Sequence, residues 1–124
     1  MNIESIRDYC LSLPMVTEDM AFGEDHLLFR ICEKIFACAE LKTADYLTVK
    51  SDPEDAIRLR EQFADIEPAW HWNKKYWIQL NLNGNLHDDH IKNLIRKSYS
   101  EVVKKLPKRI RTTYPEIAEV TAEV

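Results

Sequence analysis

Residues 27–50, LLFRICEKIFACAELKTADYLTVK, contain three short segments with the composition of β-strands. Segment 27–32 alternates with period two, segment 35–39 is apolar on both faces, and segment 45–50 is rich in Tyr, Leu, Thr and Val. The connections between the segments are too short for the crossover that parallel strands require. The stretch therefore predicts an antiparallel meander.

Helical patterns lie on both sides of the meander. Apolar residues at helical spacing predict a first helix over about 3–13, which Pro14 ends. Ser51-Asp52-Pro53-Glu54 has the pattern of a helix start, so a second helix is expected to run to about residue 63.

One further strand and one long helix complete the predicted order. The strand is expected over 76–82, and Asp88 is expected to cap a helix over about 89–106. Strands grouped together with helices outside them indicate an α+β fold. We expect two layers, an antiparallel sheet with helices mainly on one face.

Length and composition indicate one globular domain in 124 residues, of which 45% are hydrophobic and 31% charged. We assign residues 1–108 to a single domain and expect residues 109–124 to form a loosely ordered tail, because the tail shows no clear periodicity. The sequence shows neither a membrane-length apolar run nor the pattern of a signal peptide, so we expect a cytoplasmic protein. We also expect a monomer. Its two glycines exclude Gly-rich phosphate loops.

The net charge of −4 is unevenly distributed. Residues 1–66 carry 7 Lys/Arg against 14 Asp/Glu, whereas residues 67–111 carry 10 Lys/Arg against 4 Asp/Glu. A protein that neutralises phosphates needs local positive density rather than a basic average. Residues 67–111 could supply that density on one side of the molecule.

The segment 68–77 holds all three tryptophans and two of these lysines. Alternation in the following strand places Trp77 opposite Ile78, on the polar face of the sheet. We interpret Lys74 and Lys75 as phosphate contacts and Trp77, with Trp70, as platforms for bases. The alternative is that Trp77 covers the edge of the sheet and that the lysines belong to a solvated turn.

A second basic cluster lies between residues 104 and 111. The dipole at the end of the predicted helix is a sufficient reason for two of its members, and the others could bind phosphate or keep the tail soluble. We interpret the cluster as an electrostatic flank of the same surface. Its members are Lys104, Lys105, Lys108, Arg109 and Arg111.

An alternative function is a small-ligand or protein-binding domain. His71, Asn73 and Trp77 have the mixture of aromatic and polar groups that lines ligand pockets. A cleft containing these three side chains would favour this function over a continuous basic ridge.

Metal, cofactor and catalytic signals are weak. His87 and His90 do not complete a metal site, so we predict no metal and no cofactor. The three cysteines form no C-x-x-C pair and lie among apolar neighbours, which indicates buried thiols. No catalytic motif is present, so we predict a protein that is not an enzyme.

Three stretches of the sequence form a recognisable set. They are Phe22-Gly23-Glu24-Asp25-His26, Pro68-x-Trp70-His71-x-Asn73-Lys74-Lys75-x-Trp77, and Ser98-Tyr99 followed by Val102-Val103 and Lys105-Leu106-Pro107-Lys108. Together they resemble the MmcQ/YjbR family, in the family's order and over about residues 1–108. Cys32-Glu33 stands where the family tends to have glycine, Trp70 where tyrosine is usual, and Tyr76 where histidine is common.

This resemblance implies a CyaY-like (frataxin-like) α+β fold and a DNA-binding role through a double-wing arrangement of hairpins. Together with the basic and aromatic residues, it leads us to predict a non-enzymatic DNA-binding module.

Overall fold

The computed structural model describes residues 1–122, which form one antiparallel sheet of six strands and five helices. The α+β fold and the antiparallel meander predicted from the sequence are confirmed. The strands are β1 (Val16–Asp19), β2 (His26–Ile31), β3 (Lys34–Glu40), β4 (Tyr46–Lys50), β5 (Ile66–Pro68) and β6 (Trp77–Asn81), and the helices are α1 (Ile3–Ser12), α2 (Pro53–Gln62), α3 (Asp88–Val103), α4 (Lys108–Thr113) and α5 (Pro115–Ala122).

The strand order in the sheet is β1-β2-β3-β4-β6-β5, and every pair of neighbours is antiparallel. Strands β2 and β3 are joined by a two-residue turn, Cys32-Glu33, with φ of 48° and 69°. Positive φ at both positions is what a type I′ hairpin turn requires, and glycine adopts it at least cost. The turn therefore places two L-residues in a conformation that glycine would adopt with less strain.

The core lies between one face of the sheet and the helices. Ile78 and Leu80 of β6 are fully buried and pair with Val49 and Leu47 of β4, as the predicted alternation requires. On α3, the ring of Tyr99 meets Phe36 edge to face at 5.4 Å. Residues of α1, α2, α3 and α5 join the same hydrophobic cluster, so the helices pack on this side of the sheet.

The sequence patterns do not predict two of the six strands, because one is polar and the other is short. β1 reads Val-Thr-Glu-Asp, and its acidic residues are held by ion pairs that the sequence pattern does not reveal. Arg7 binds Glu18 at 2.6 Å and Arg30 binds Asp19 at 2.5 Å. The three-residue β5 pairs with β6 at the other edge of the sheet.

The predicted cap of α3 is wrong. His87 is the N-cap residue and makes no capping hydrogen bond through its side chain. Asp88 is the first helical residue and binds the amino terminus of Met1 at 2.8 Å instead. A negative charge in the first turn still suits the helix dipole.

The expectation of a loosely ordered tail over 109–124 differs from the observed structure as far as Ala122. The segment forms α4 and α5, and Ile117 and Val120 of α5 are buried in the main core. Residues 123 and 124 lie outside the described residues. No helix in the described part of the chain is long and apolar enough to cross a membrane.

Candidate functional site

The loop between β5 and β6 folds over the face of the sheet that carries no helices. Asn73 organises this loop, because its carbonyl accepts from the backbone N–H groups of Tyr76 and Trp77, each at 3.0 Å, and its Oδ1 accepts from Lys75 N–H at 3.1 Å. The resulting turn places the ring of Trp72 4.5 Å from that of Trp77. Asn73 thus has a clear structural role.

Phe22 extends this aromatic contact. Its ring lies 5.9 Å from that of Trp72, on the turn that precedes β2. The Phe22 side chain is 55% exposed, whereas Trp72 and Trp77 are half-buried. Three aromatic rings from three separate segments therefore form one continuous row on the outer face of the sheet.

A groove of about 590 Å³ runs along the Trp72–Trp77 pair at one end of the sheet. We call it the basic–aromatic groove. Its walls come from the β2–β3 hairpin, the last residue of β4, the end of α3 and the loop after α3. It is lined by Arg30, Glu33, Lys34, Ile35, Lys50, Trp72, Trp77, Val102, Lys105 and Leu106.

Two lysines give the groove its electrostatic character. Lys50 pairs with Trp77 across β4 and β6, and its Nζ lies 5.9 Å from the Trp77 ring. Burial lowers the pKa of Lys50, and the nearby charge of Lys105 lowers it further. Two ammonium groups that repel each other beside an aromatic floor form a site that an anion would stabilise.

The predicted lysines of the loop lie beside this groove. Lys75 and Lys105 flank the ring of Tyr76, with Nζ-to-centroid distances of 5.5 and 5.3 Å. Lys74 covers the ring of Trp70 at 4.5 Å, and Trp70 is 58% exposed. The structure therefore brings Lys75 and Lys105 to the same ring, while Lys74 and Trp70 form a separate contact.

The remaining members of the second basic cluster are not brought to the groove by any described contact. Lys104 binds Glu101 at 3.2 Å and faces the cleft between α2 and α3. Lys108 and Arg109 are exposed on α4, where their carbonyls accept from Thr112 and Thr113. Arg111 is half-buried on the same helix.

A second cavity, of about 300 Å³, lies on the same sheet face, and we call it the outer-face cleft. It receives His71 but not Asn73 or Trp77, so the trio predicted for a ligand pocket does not line one cavity. Trp72 lines both the cleft and the groove. The cleft is lined by His26, Cys38, Glu40, Thr43, Tyr46, Thr48, Trp70, His71, Trp72 and Gln79.

The outer-face cleft contains one contact between a thiol and an imidazole. Cys38 Sγ lies 3.9 Å from His26 Nδ1, but burial raises the pKa of the Cys38 thiol to about 11. The thiol is therefore protonated near neutral pH, which disfavours a Cys–His nucleophile. Within residues 1–122, no three His, Cys, Asp or Glu side chains are grouped to hold a metal ion.

Sequence reasoning missed Lys50, Lys34 and Trp72 as members of the site. Lys50 could have been predicted, because alternation in the predicted strand places it on the same outward face as Tyr46 and Thr48. Trp72 has no such signal, because a loop carries no periodicity that shows where its side chains point.

Known proteins provide an independent comparison. The YjbR family model matches residues 11–101. The uncharacterized protein YbdF of Escherichia coli O157:H7 is 32% identical over 107 residues, which cover 86% of this chain and 88% of YbdF. The uncharacterized protein YjbR of Escherichia coli K12 is 30% identical over 112 residues, which cover 90% of this chain and 95% of YjbR.

Solved structures agree with the sequence matches. The crystal structure of Deinococcus radiodurans protein DR2400, with the domain DUF419, has a TM-score of 0.85 and 28% identity, over 90% of this chain and 86% of the other. A Pseudomonas syringae protein has a TM-score of 0.67 and 27% identity, over 79% and 96%. The order of elements, the sequence signature and these matches agree, and the chain belongs to the YjbR family.

Proposed function

We propose that this protein binds single-stranded nucleic acid along the basic–aromatic groove. The observation that carries the proposal is the position of Lys50 and Lys105, side by side next to the Trp72–Trp77 ring pair. This arrangement supplies positive charge for a phosphate and an aromatic face for a base within one groove.

The electrostatics of the groove favour an anionic ligand. Burial lowers the pKa of Lys50 most, and a phosphate between Lys50 and Lys105 would relieve the repulsion from Lys105 that lowers it further. Lys34 and Lys75 extend the positive charge along the groove and its rim. Arg30 contributes less, because Asp19 already neutralises it at 2.5 Å.

A single strand suits this surface better than a duplex. Tryptophan rings stack on the flat faces of bases, and those faces are hidden inside a duplex. In the basic–aromatic groove, Trp72 and Trp77 lie between a hairpin and the end of a helix, where an unpaired base can approach them.

We propose a binding role without catalysis, in the cytoplasm and as a monomer. The protonated Cys38 thiol beside His26 supports the absence of a catalytic pair at the outer-face cleft. The small-ligand alternative is supported by that cleft, which receives His71 together with two tryptophans.

The test is a binding titration with a labelled 12-nucleotide single strand of mixed sequence, at several salt concentrations. The wild-type protein should bind with an affinity that falls as salt rises, by a log–log slope of about −0.7 for each phosphate contact. Lys105→Ala should make that slope shallower by about 0.7 and weaken binding at low salt. A duplex of the same sequence should bind more weakly.

The matched control is Lys92→Ala. Lys92 lies on α3 and covers the ring of Tyr9 at 5.6 Å, eleven residues and so about 16 Å before the end of the helix. This variant should keep the wild-type slope. Equal effects of the two substitutions, or no binding by the wild type at low salt, would contradict the proposal.

A further inference from the structure

The outer-face cleft contains polar groups that the fold itself does not use. Thr48 is only 7% exposed, yet its hydroxyl makes no hydrogen bond within the described residues, and the same holds for the side-chain amide of Gln79. These two residues are direct partners across β4 and β6. Thr48 is buried and Gln79 is half-buried, and both line the cavity, so their hydrogen-bonding groups are available to a ligand there.

The walls of the cleft are aromatic. Trp70, Trp72 and His71 come from the loop over the sheet, and Tyr46 comes from β4. Aromatic walls with a few unpaired donors and acceptors at the base are typical of a pocket for a flat, polar ring. The Thr hydroxyl and the Gln amide can each donate and accept, which suits the edge of a nucleobase.

The charge inside the cleft selects against phosphate. Hydrogen bonds from Thr43 lower the pKa of Glu40, with a backbone hydrogen bond from Lys42 and the charge of His26 adding to the effect. Glu40 is therefore a carboxylate at neutral pH. A neutral ring can enter beside it, whereas a phosphate would be repelled and would favour the lysines of the groove.

The cleft and the groove are neighbours on one sheet face. Thr48 and Lys50 are two residues apart on β4, so they lie about 7 Å from each other along the strand and point to the same side. Trp72 lines both cavities. When a single-stranded nucleic acid places a phosphate at Lys50, its next base can therefore reach the cleft.

We propose that the outer-face cleft binds one unstacked nucleobase, with Thr48 and Gln79 as its hydrogen-bond partners and Trp72 as one wall. This inference rests on the proposed function for the source of the base. The same heterocycle could arrive as a free nucleoside, so the experiment includes both sources.

Three kinds of probe separate the possibilities. They are the 12-nucleotide single strand, a backbone of the same length that lacks bases, and the free nucleosides thymidine and deoxyadenosine. Thr48→Val keeps the shape of the side chain and removes the hydroxyl, and Gln79→Leu removes the amide from a half-exposed position. Thr17→Val on the exposed edge strand β1 is the matched control.

Thr48→Val and Gln79→Leu should each weaken binding of the base-bearing strand by roughly 2- to 12-fold, which corresponds to one lost hydrogen bond. Binding of the abasic backbone should not change, and Thr17→Val should have no effect on either probe. Nucleoside binding that is sensitive to Thr48→Val identifies a free heterocycle as a ligand. Sensitivity seen only with the strand identifies a base of that strand.

Two results separate this inference from the proposed function. If Lys105→Ala weakens binding of both strands while Thr48→Val and Gln79→Leu change nothing, the cleft is not a base pocket and the groove still binds nucleic acid. If no strand binds at low salt but a nucleoside binds and depends on Thr48, the groove proposal is wrong and the cleft remains a heterocycle site. No binding of any probe contradicts both.

Discussion

The indole ring of Trp72 lies 4.5 Å from the ring of Trp77, so a loop residue and a strand residue share one aromatic surface. This contact fastens the β5–β6 loop to the outer face of the sheet. It also separates the basic–aromatic groove from the outer-face cleft, because Trp72 lines both. The proposed binding of nucleic acid depends on this pair and on the lysines beside it.

The two faces of β6 predict different costs for neighbouring substitutions. Ile78 is fully buried in the core, so Ile78→Ala should lower the free energy of unfolding by about 2–5 kcal/mol. Trp77 is half-buried against Trp72, so Trp77→Ala should cost less than Ile78→Ala. Urea denaturation of both variants checks the order, and a larger loss for Trp77→Ala would contradict the assignment of faces.

Two serines on α3 provide a matched pair for the value of a buried hydrogen bond. Ser98 Oγ accepts from Lys50 N–H at 2.7 Å and donates to the carbonyl of Phe36, so Ser98→Ala leaves two backbone groups unpaired. We expect a loss of about 1–3 kcal/mol. The buried Ser100 Oγ has no partner within the described residues.

Ser100→Ala should therefore leave the free energy of unfolding unchanged or raise it, because it removes an unpaired hydroxyl and breaks no hydrogen bond. Denaturation curves of the two alanine variants give the comparison. Equal losses would show that the Ser98 hydrogen bonds do not carry the stability assigned to them.

The Cys32-Glu33 turn predicts a stabilising substitution. Glu33 has a φ of 69°, a conformation that costs an L-residue about 1–2 kcal/mol and costs glycine little. Glu33→Gly should raise the free energy of unfolding by about 0.5–1 kcal/mol after the greater freedom of glycine in the unfolded chain is included.

The control for the turn is Lys34→Gly, one residue later and inside β3. It should lower stability by about 0.5–1 kcal/mol, because glycine weakens a strand. Thermal melting of both variants tests the sign of each effect. A lower melting temperature for Glu33→Gly would contradict the turn assignment.

Stability should depend on pH through His90, whose ring lies 4.7 Å from that of Phe63. Burial lowers the pKa of His90, and the charges of Lys97 and His87 lower it further. The unfolded chain therefore binds the proton more readily than the folded protein. The contribution of neutral His90 to the free energy of unfolding is fully present above a pH of about 6.5. It is lost as the pH falls through the pKa of His90 in the folded protein.

Chemical denaturation at pH 7.5 and pH 5.0 checks this dependence. The wild type should lose more stability between the two values than His90→Gln, which cannot gain the proton. An equal loss in both proteins would remove His90 as the cause. Glu18 and Asp19, which pair with arginines, have lowered pKa values. Their contribution to stability is therefore lost only at a more acidic pH.

The meander and the faces of β6 could be predicted from the sequence because alternation directly encodes which side chains are buried. The edge strand β1 could not, since its Glu18 and Asp19 depend on arginines that are distant in sequence. Helix α5 was missed for a similar reason. Its buried residues Ile117 and Val120 are three apart, but so short a helix depends on packing against α3.

The candidate site was predictable in composition more than in geometry. Trp77 and Lys105 were identified from local patterns, and both line the groove. The juxtaposition of Lys50 with Lys105 joins residues 55 positions apart, and the placement of Trp72 depends on a loop turn around Asn73. Tertiary packing creates both features, and single-sequence patterns do not report it.

The most direct test of the central claim is to follow the three tryptophan indole N–H signals by NMR while the 12-nucleotide single strand is added. The account predicts that the signals of Trp72 and Trp77 and the backbone amides of Lys50 and Lys105 shift together, while that of Lys92 stays in place. Shifts confined to α4 and α5, or tryptophan signals unchanged at saturating strand, would contradict nucleic-acid binding at the basic–aromatic groove.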